Sequence, residues 1–181
     1  TASLVGATNA ISGNGGIIKQ VYVPKVVFIV VSLIVNSIKF VISVVMLVLF
    51  LLLFGVAFSP KLLYFFIILV VNGIFLFGCM LILAHIGVFL RDVKNMMQYF
   101  TRMLYYLSPV LFSIESVPGN LSKYLYLNPL TTLFESYRNV LMYNEQPQLL
   151  GLLCIFIVAI ILLTIGIITM EKYDKKYIKV I

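Results

Sequence analysis

The chain has 181 residues, of which 62% are hydrophobic and only 10% are charged, and its formal net charge is +7. A water-soluble domain of this length would lack the polar residues needed to cover its surface, so the composition excludes that class and indicates a membrane protein. Cys79 and Cys154 lie in separate apolar stretches, without a histidine or acidic residue at metal-ligand spacing. Both are therefore predicted to be packing residues, and no metal site is expected.

Residues 1–25 are predicted to be the end of a preceding helix followed by a cytoplasmic loop. The first sixteen are mostly small or polar, and their Gly-Asn-Gly-Gly sequence lacks the lysine, followed by Ser or Thr, of a phosphate-binding loop. Residues 17–25 form a short amphipathic segment that ends near Pro24, a residue well suited to the first turn of the next helix. Two interpretations are open for this segment: an interfacial loop, or a cytoplasmic helix that contacts a partner.

Four stretches are predicted to be membrane-spanning helices, because roughly 20 apolar helical residues cross the hydrocarbon core. Their ranges are 26–58, 62–90, 96–113 and 148–170. The first span contains Lys39, which could snorkel to the cytoplasmic interface or contact a substrate. The single histidine, His85, has no ionisable neighbour at its depth in the sequence, so a packing or interfacial role is expected rather than a proton relay.

The positions of the basic residues predict the orientation of the chain. One side of the membrane receives Lys19, Lys25, Arg91, Lys94, Arg102 and the four lysines of residues 171–181. The other side receives Lys61, Lys123 and Arg138. This bias puts the first loop, a turn containing Arg91 to Arg102 and the C-terminal tail in the cytoplasm, and residues 114–147 outside. The positive charge is attributed to topology and anionic lipid, and no nucleic-acid partner is expected.

Residues 114–147 are interrupted by Pro118-Gly119-Asn120 and by Asn128-Pro129. Irregular backbone persists at membrane depth only where protein buries it or where it lines a watery cavity. The sequence therefore predicts two re-entrant half-helices, residues 116–127 and 129–142, that form an outer gate. Glu135 and Arg138 lie three positions apart on the second half-helix and can pair. The alternative is a solvated loop whose surface ion pair contributes little.

Three segments resemble the membrane subunits of ABC-2 type exporters: GVFLRDVKNMMQ, YYLSPVLFS and LNPLTTLFESYRNVLMY. The likeness is closest to permeases that export undecaprenyl-linked wall teichoic acid, O-antigen or capsular polysaccharides. The segment GNGGIIKQVYVPK is similar to their cytoplasmic segment, with Val23 before Pro24 in place of the usual aromatic residue. The resemblance covers essentially the whole chain. Such permeases usually have six spans after an amphipathic interfacial helix, so we expect that helix and the first two spans to be absent here, as in a fragment.

The resemblance implies an all-α, type V exporter-like transmembrane domain over residues 1–181, with re-entrant extracytoplasmic half-helices. It implies a homodimer that binds two copies of a separate ATPase subunit, which supplies the ATP and magnesium chemistry. This chain would then contain no catalytic residue and no cofactor. Its expected function is export of a lipid-linked cell-envelope polysaccharide or teichoic acid across the cytoplasmic membrane.

Roles for individual residues follow from the same resemblance. Coupling to the ATPase is expected of Asn14, Lys19, Gln20, Pro24, Arg91 and Asp92. The gate is expected to contain Pro109, Asn128, Pro129, Glu135 and Arg138. The conduit is expected to be lined by Lys39, Tyr99, Phe100, Tyr105, Tyr106 and Phe112. Packing or an interfacial belt explains these aromatic residues equally well.

Three other functional classes are alternatives to a polysaccharide exporter. An ABC-2 exporter of lipids or drugs would share the architecture and differ only in its conduit. An ion-coupled carrier would need ionisable residues with partners in mid-membrane, whereas Lys39 has none in the sequence pattern. A membrane-embedded enzyme would need converging nucleophiles, metal ligands or paired carboxylates, whereas the six acidic residues are dispersed.

Overall fold

The computed structural model describes residues 1–21, 23–55, 60–90, 92–110, 112, 114 and 124–180. Within these ranges the chain is helical and contains no strand, so the all-α prediction is confirmed. The α-helices are α1 (Ala2–Thr8), α2 (Gly15–Gln20), α3 (Val26–Leu53), α4 (Tyr64–Phe89), α5 (Val93–Leu107), α6 (Pro129–Arg138) and α7 (Leu149–Val180). Shorter helical turns are Ser12–Asn14, Pro60–Leu63 and the π-helical Asn139–Tyr143.

Three helical segments of the described chain are long and apolar enough to cross a membrane: Val26–Leu53, Pro60–Phe89 and Leu149–Tyr177. They contain 28, 30 and 29 residues, and each exceeds the roughly 20 residues that a bilayer requires. They overlap the first, second and fourth predicted spans. The chain is therefore a membrane protein with at least these three candidate spans.

The remaining predicted span, residues 96–113, corresponds to α5. This helix has 15 residues and is about 22 Å long. It ends because Ser108 adopts extended backbone angles immediately before Pro109. Arg102 lies on this helix rather than in the turn where the sequence pattern placed it. Whether this third predicted span crosses the membrane stays a prediction.

Helix α4 is the centre of the fold, with α7 packed along it and α1, α3, α5 and α6 around it. Two glycines allow the backbones of α4 and α7 to approach closely. A Cβ atom at Gly78 would lie 2.8 Å from the backbone nitrogen of Leu163, and one at Gly166 would lie 2.6 Å from Cβ of Leu81. Because neither position has room for a methyl group, the two helices form a tightly packed pair.

The buried side chains form two clusters at opposite ends of the α4–α7 pair. We call the first the α2-end core, which includes Ile11, Ile18, Ile29, Met80, Leu81, Ala84, Met170 and Tyr177. We call the second the α6-end core, which includes Ile68, Val71, Phe75, Leu133, Val140, Leu152, Ile155 and Ala159. The fold thus joins the predicted coupling segment to one end of the α4–α7 pair, and the predicted gate helix to the other.

Candidate functional site

Asn128 determines where α6 begins. Its backbone is extended and its side-chain oxygen accepts a hydrogen bond from the Leu130 backbone N–H at 3.0 Å, while Pro129 occupies the first helical turn. This combination of an asparagine cap and a following proline is a strong helix-start signal. The Asn128 Nδ2 also donates to the Ser108 hydroxyl at 3.0 Å. The start of α6 is therefore tied to the turn that ends α5.

Arg138 makes a second connection from α6 to the same turn. Its Nη2 donates to the Pro109 carbonyl at 3.1 Å, and its Nη1 donates to the Phe112 carbonyl at 3.4 Å and to Glu135 Oε1 at 2.9 Å. The Arg138 and Glu135 side chains are 19% and 13% exposed, so this ion pair is largely buried. The guanidinium provides donors for two backbone carbonyl groups of the segment that follows α5.

We call Ser108, Pro109, Asn128, Glu135 and Arg138 the gate cluster. The structure brings the predicted gate residues together around the junction of α5 and α6, with Pro129 starting the helix. It adds Ser108, which is 1% exposed and was not assigned a role from the sequence. The available signal was its position directly before Pro109. That these residues act as a gate stays a prediction.

The gate helix α6 is packed into the protein and is not a solvated loop. Leu133 lies in the α6-end core, and Thr131 and Ser136 are fully buried. On the same helix, the Tyr137 hydroxyl accepts a hydrogen bond from Asn72 Nδ2 of α4 at 3.4 Å. The predicted half-helix 116–127 lies largely outside the described residues, so the structure describes only the predicted half-helix 129–142 as a helix. That either piece is re-entrant stays a prediction.

Tyr137 lies half-buried between aromatic side chains of two other helices. Its ring centroid lies 5.6 Å from that of Phe65 and 6.2 Å from that of Phe40, both in tilted arrangements. A phenol is uncharged at neutral pH, so Tyr137 connects α6 to α4 through neutral contacts.

The conduit candidates lie on two separate surfaces. Lys39 borders a groove of about 590 Å³ between α1, α3 and α4, whose polar lining includes Asn36, Asn72 and Ser43. Tyr99, Phe100, Tyr105 and Tyr106 lie exposed on α5 and do not border this groove. Phe112 contributes its carbonyl oxygen to Arg138. The structure therefore does not bring Lys39 and these aromatic residues together, and a conduit role for either group stays a prediction.

The coupling candidates lie at the α2 end. Helix α2 buries Ile18 and exposes Lys19 and Gln20. The Asn14 side chain donates to the Ala10 carbonyl at 2.7 Å, which holds the turn before α2. The Pro24 carbonyl accepts from the Val27 backbone N–H at 3.0 Å in the first turn of α3.

The start of α5 is close to this coupling segment. Asn14 and Lys94 border one cavity of about 410 Å³. Asp92 is exposed directly before α5, whereas Arg91 lies outside the described residues. The described residues contain no group of three His, Cys, Asp or Glu side chains that could hold a metal ion.

Replacing Asn128 by alanine is expected to lower the free energy of unfolding by about 1–2 kcal/mol, because α6 loses its side-chain cap. Asn128→Ser keeps a capping oxygen but is too short to bridge to Ser108, so we expect a smaller loss. Thermal unfolding of the purified full-length protein in detergent measures both effects. Equal midpoints for the alanine variant and the unaltered protein would contradict the role of Asn128 as a cap.

Comparison with known proteins identifies the family. The family described as ABC-2 type transporter matches residues 18–142, a range that contains the second half of α2 and the whole gate cluster. The chain is 23% identical over 181 residues to the O-antigen export system permease protein RfbA of Klebsiella pneumoniae, covering 97% of this chain and 69% of that protein. It is 22% identical over 165 residues to the protein of that name from Myxococcus xanthus, covering 90% of this chain and 64% of that protein. The chain belongs to the ABC-2 type transporter family.

Proposed function

We propose that this chain is the membrane-spanning permease subunit of an ATP-driven exporter of a lipid-linked cell-envelope polysaccharide or teichoic acid. The observation that carries the proposal is the family match, which extends from α2 through the gate cluster. The names of the relatives support a polysaccharide as the substrate class. The exporter would lie in the cytoplasmic membrane and would work as a homodimer with two copies of an ATPase subunit, which binds ATP and magnesium.

The shape of α2 supports a coupling role. Ile18 anchors this short helix in the α2-end core, while Lys19 and Gln20 project from it. A helix held on one face and free on the other can enter a groove of a partner protein without unfolding. We therefore assign α2 and the C-terminal end of α7 to the cytoplasmic side, where the ATPase would bind. This assignment agrees with the bias of the lysines.

The position of the gate cluster supports an outer gate. It lies at the end of the α4–α7 pair opposite to α2. Closure of the ATPase subunits would move α2, and the spans would carry this displacement to α6. Opening of the gate would require a change in the contacts of Arg138 or Asn128 with the turn after α5. A buried charge pair and a helix cap favour one closed arrangement until such a force acts on them.

The first test is mass spectrometry of the proteins that co-purify with the full-length permease after gentle extraction from its native membrane. We expect an ATPase subunit with a phosphate-binding loop in stoichiometric amount. We also expect stimulation of its activity by a lipid-linked polymer. Repeated purification without an ATPase would contradict the exporter proposal, and stimulation only by a lipid or drug would reassign the substrate class.

The coupling assignment predicts a charge effect at α2. Lys19→Glu combined with Gln20→Glu is expected to reduce permease-dependent ATPase stimulation about tenfold while leaving membrane insertion intact, because both positions are exposed. The matched control is Gln146→Glu with Gln148→Glu, which adds acidic residues at exposed positions near the gate end. The control should keep normal stimulation. Unchanged stimulation in the α2 variant would remove α2 from the coupling interface.

A further inference from the structure

Lys25 connects the end of the coupling segment to α7. This residue directly follows Pro24 and precedes α3, and its Nζ lies 2.9 Å from Asp174 Oδ1. Lys25 is 3% exposed, and the Asp174 side chain is 27% exposed. A carboxylate partner at this distance stabilises an ammonium group that is so deeply buried. The ion pair therefore holds α7 against the segment between α2 and α3.

His85 makes a second connection at the same end, between α4 and α7. Its Nδ1 lies 2.7 Å from the hydroxyl of Tyr177, a side chain that is completely buried. The Tyr177 hydroxyl also donates to Met170 Sδ at 3.2 Å. The His85 ring packs against Tyr173 and Phe89 at centroid distances of 4.9 and 5.1 Å. The C-terminal turns of α7 are thereby fixed to the end of α4.

The α4–α7 pair extends these connections to the gate. Along its length, Gly78 lies against the α7 backbone and Gly166 against the Leu81 side chain of α4, so the two helices pack closely and have little freedom to slide. At its other end, the pair contributes most of the α6-end core, into which Leu133 of α6 inserts. A displacement at Lys25 and His85 is therefore transmitted to α6 by the closely packed α4–α7 pair.

We propose that two contacts form a latch: Lys25–Asp174 joins the end of the coupling segment to α7, and His85–Tyr177 joins α7 to α4. The coupling segment and the α4–α7 pair then move as one body when the ATPase acts. This inference rests on the proposed function. It assigns Lys25, His85, Asp174 and Tyr177 as positioning residues for coupling. In this mechanism the latch stays closed throughout the transport cycle, and the gate contacts at the far end are the ones that change.

A charge exchange across the latch tests the proposal in the full-length permease with its ATPase. Asp174→Lys is expected to keep the ATPase bound and hydrolysing ATP but to reduce polymer export about tenfold, because force on α2 no longer reaches α7. Adding Lys25→Asp restores the opposite charges and should recover most of the export. Lys175→Asp, at an exposed position beside the latch, is the control and should export normally.

Tyr177→Phe provides a milder variant that keeps the ring and removes only the hydroxyl contacts with His85 and Met170. We expect correct membrane insertion and a partial loss of export, with ATP hydrolysis maintained. Normal export in both Asp174→Lys and Tyr177→Phe would overturn the proposal. Failure of the exchanged pair to recover export, with the ATPase still bound, would also overturn it.

A distance measurement tests whether α2 and α7 move as one body during the ATPase cycle. Spin labels at Lys19→Cys and Lys175→Cys, with Cys79 and Cys154 replaced by serine, report the separation of α2 and α7. Labelled permease is diluted with unlabelled permease so that distances within one chain dominate. The separation should be equal in nucleotide-free and ATP-trapped complexes, and Asp174→Lys should make it nucleotide-dependent. A change in the unaltered latch on ATP binding would overturn the single-body mechanism.

Different results would contradict the proposed exporter function and the proposed latch. If no ATPase co-purifies with the unaltered permease, the proposed function fails before the latch is tested. If the complex forms and exports polymer but the latch variants behave like the control, only the latch proposal fails.

Discussion

Replacing Arg138 by alanine is expected to destabilise the protein by about 3 kcal/mol and to abolish export, because one side chain maintains both the ion pair and the junction of α5 with α6. The variant loses donors to the Pro109 and Phe112 carbonyl groups. It also leaves the Glu135 carboxylate, which is only 13% exposed, without its counter-charge. Thermal unfolding of the full-length permease and an export assay measure the two effects, and assembly of the proposed homodimer is expected to persist.

The control for Arg138→Ala is the same change combined with Glu135→Gln. The amide removes the unpaired buried charge, so the double variant should regain part of the stability that the single variant loses. Export should stay impaired, because the contacts with the turn after α5 are still missing. Normal export in Arg138→Ala would favour a purely structural role of α6 over a role as a gate. Equal stability of the single and double variants would show that the unpaired Glu135 carboxylate does not destabilise the protein.

The start of the gate helix could be predicted from the sequence because its cause is local. Asn128 and Pro129 are adjacent, and a cap followed by a proline specifies a helix start whatever the rest of the chain does. The structure places the start of α6 at the predicted residue. The pairing of Glu135 with Arg138 could be predicted for the same reason, since residues three positions apart on a helix share a face.

The other partners of Arg138 could not be predicted, because they depend on tertiary structure. The Pro109 carbonyl lies 29 positions away, and no local pattern indicates that the turn after α5 folds back onto α6. The latch is more distant still: His85 and Tyr177 are separated by 92 positions. Single residues such as these have no periodicity that could reveal their contact, so His85 was identified from the sequence only as a packing or interfacial residue.

The C-terminal end of α7 could not be predicted from composition. Five charged residues between Glu171 and Lys176 favoured a separate tail after residue 170, yet the helix continues through Val180. Met170, Tyr173 and Tyr177 are spaced by three and four positions and form an apolar stripe that packs on α4. The charged residues occupy the remaining faces. The apolar stripe allows the helix to continue, and average hydropathy does not detect such a stripe.

Aromatic residues were the least informative signal for the conduit. In a membrane protein, a tyrosine or phenylalanine can contact lipid, pack in a core or line a pathway. Tyr137, which the conduit prediction omitted, is half-buried between Phe40 and Phe65, whereas Tyr99 and Tyr106 are exposed on α5. Sequence alone does not separate these environments, because all of them favour the same side chains.

The second large effect is expected at Gly78. Gly78→Ala should lower the free energy of unfolding by about 1–3 kcal/mol, since the added methyl group would lie 2.8 Å from the Leu163 backbone and force α4 away from α7. Backbone atoms cannot rotate aside as the end of a flexible side chain can. Because the α4–α7 pair carries force between the latch and the gate in the proposed mechanism, export should fall more than stability alone accounts for.

Gly73→Ala on the same helix is the matched control. A Cβ atom there meets no other atom within 4 Å, and alanine is the better helix former, so this variant should be as stable as the unaltered protein or slightly more stable. Thermal unfolding of both variants, together with export per correctly inserted molecule, makes the comparison. If Gly78→Ala and Gly73→Ala behaved alike in both assays, close contact between α4 and α7 would be unnecessary. Force would then have to reach the gate by another route.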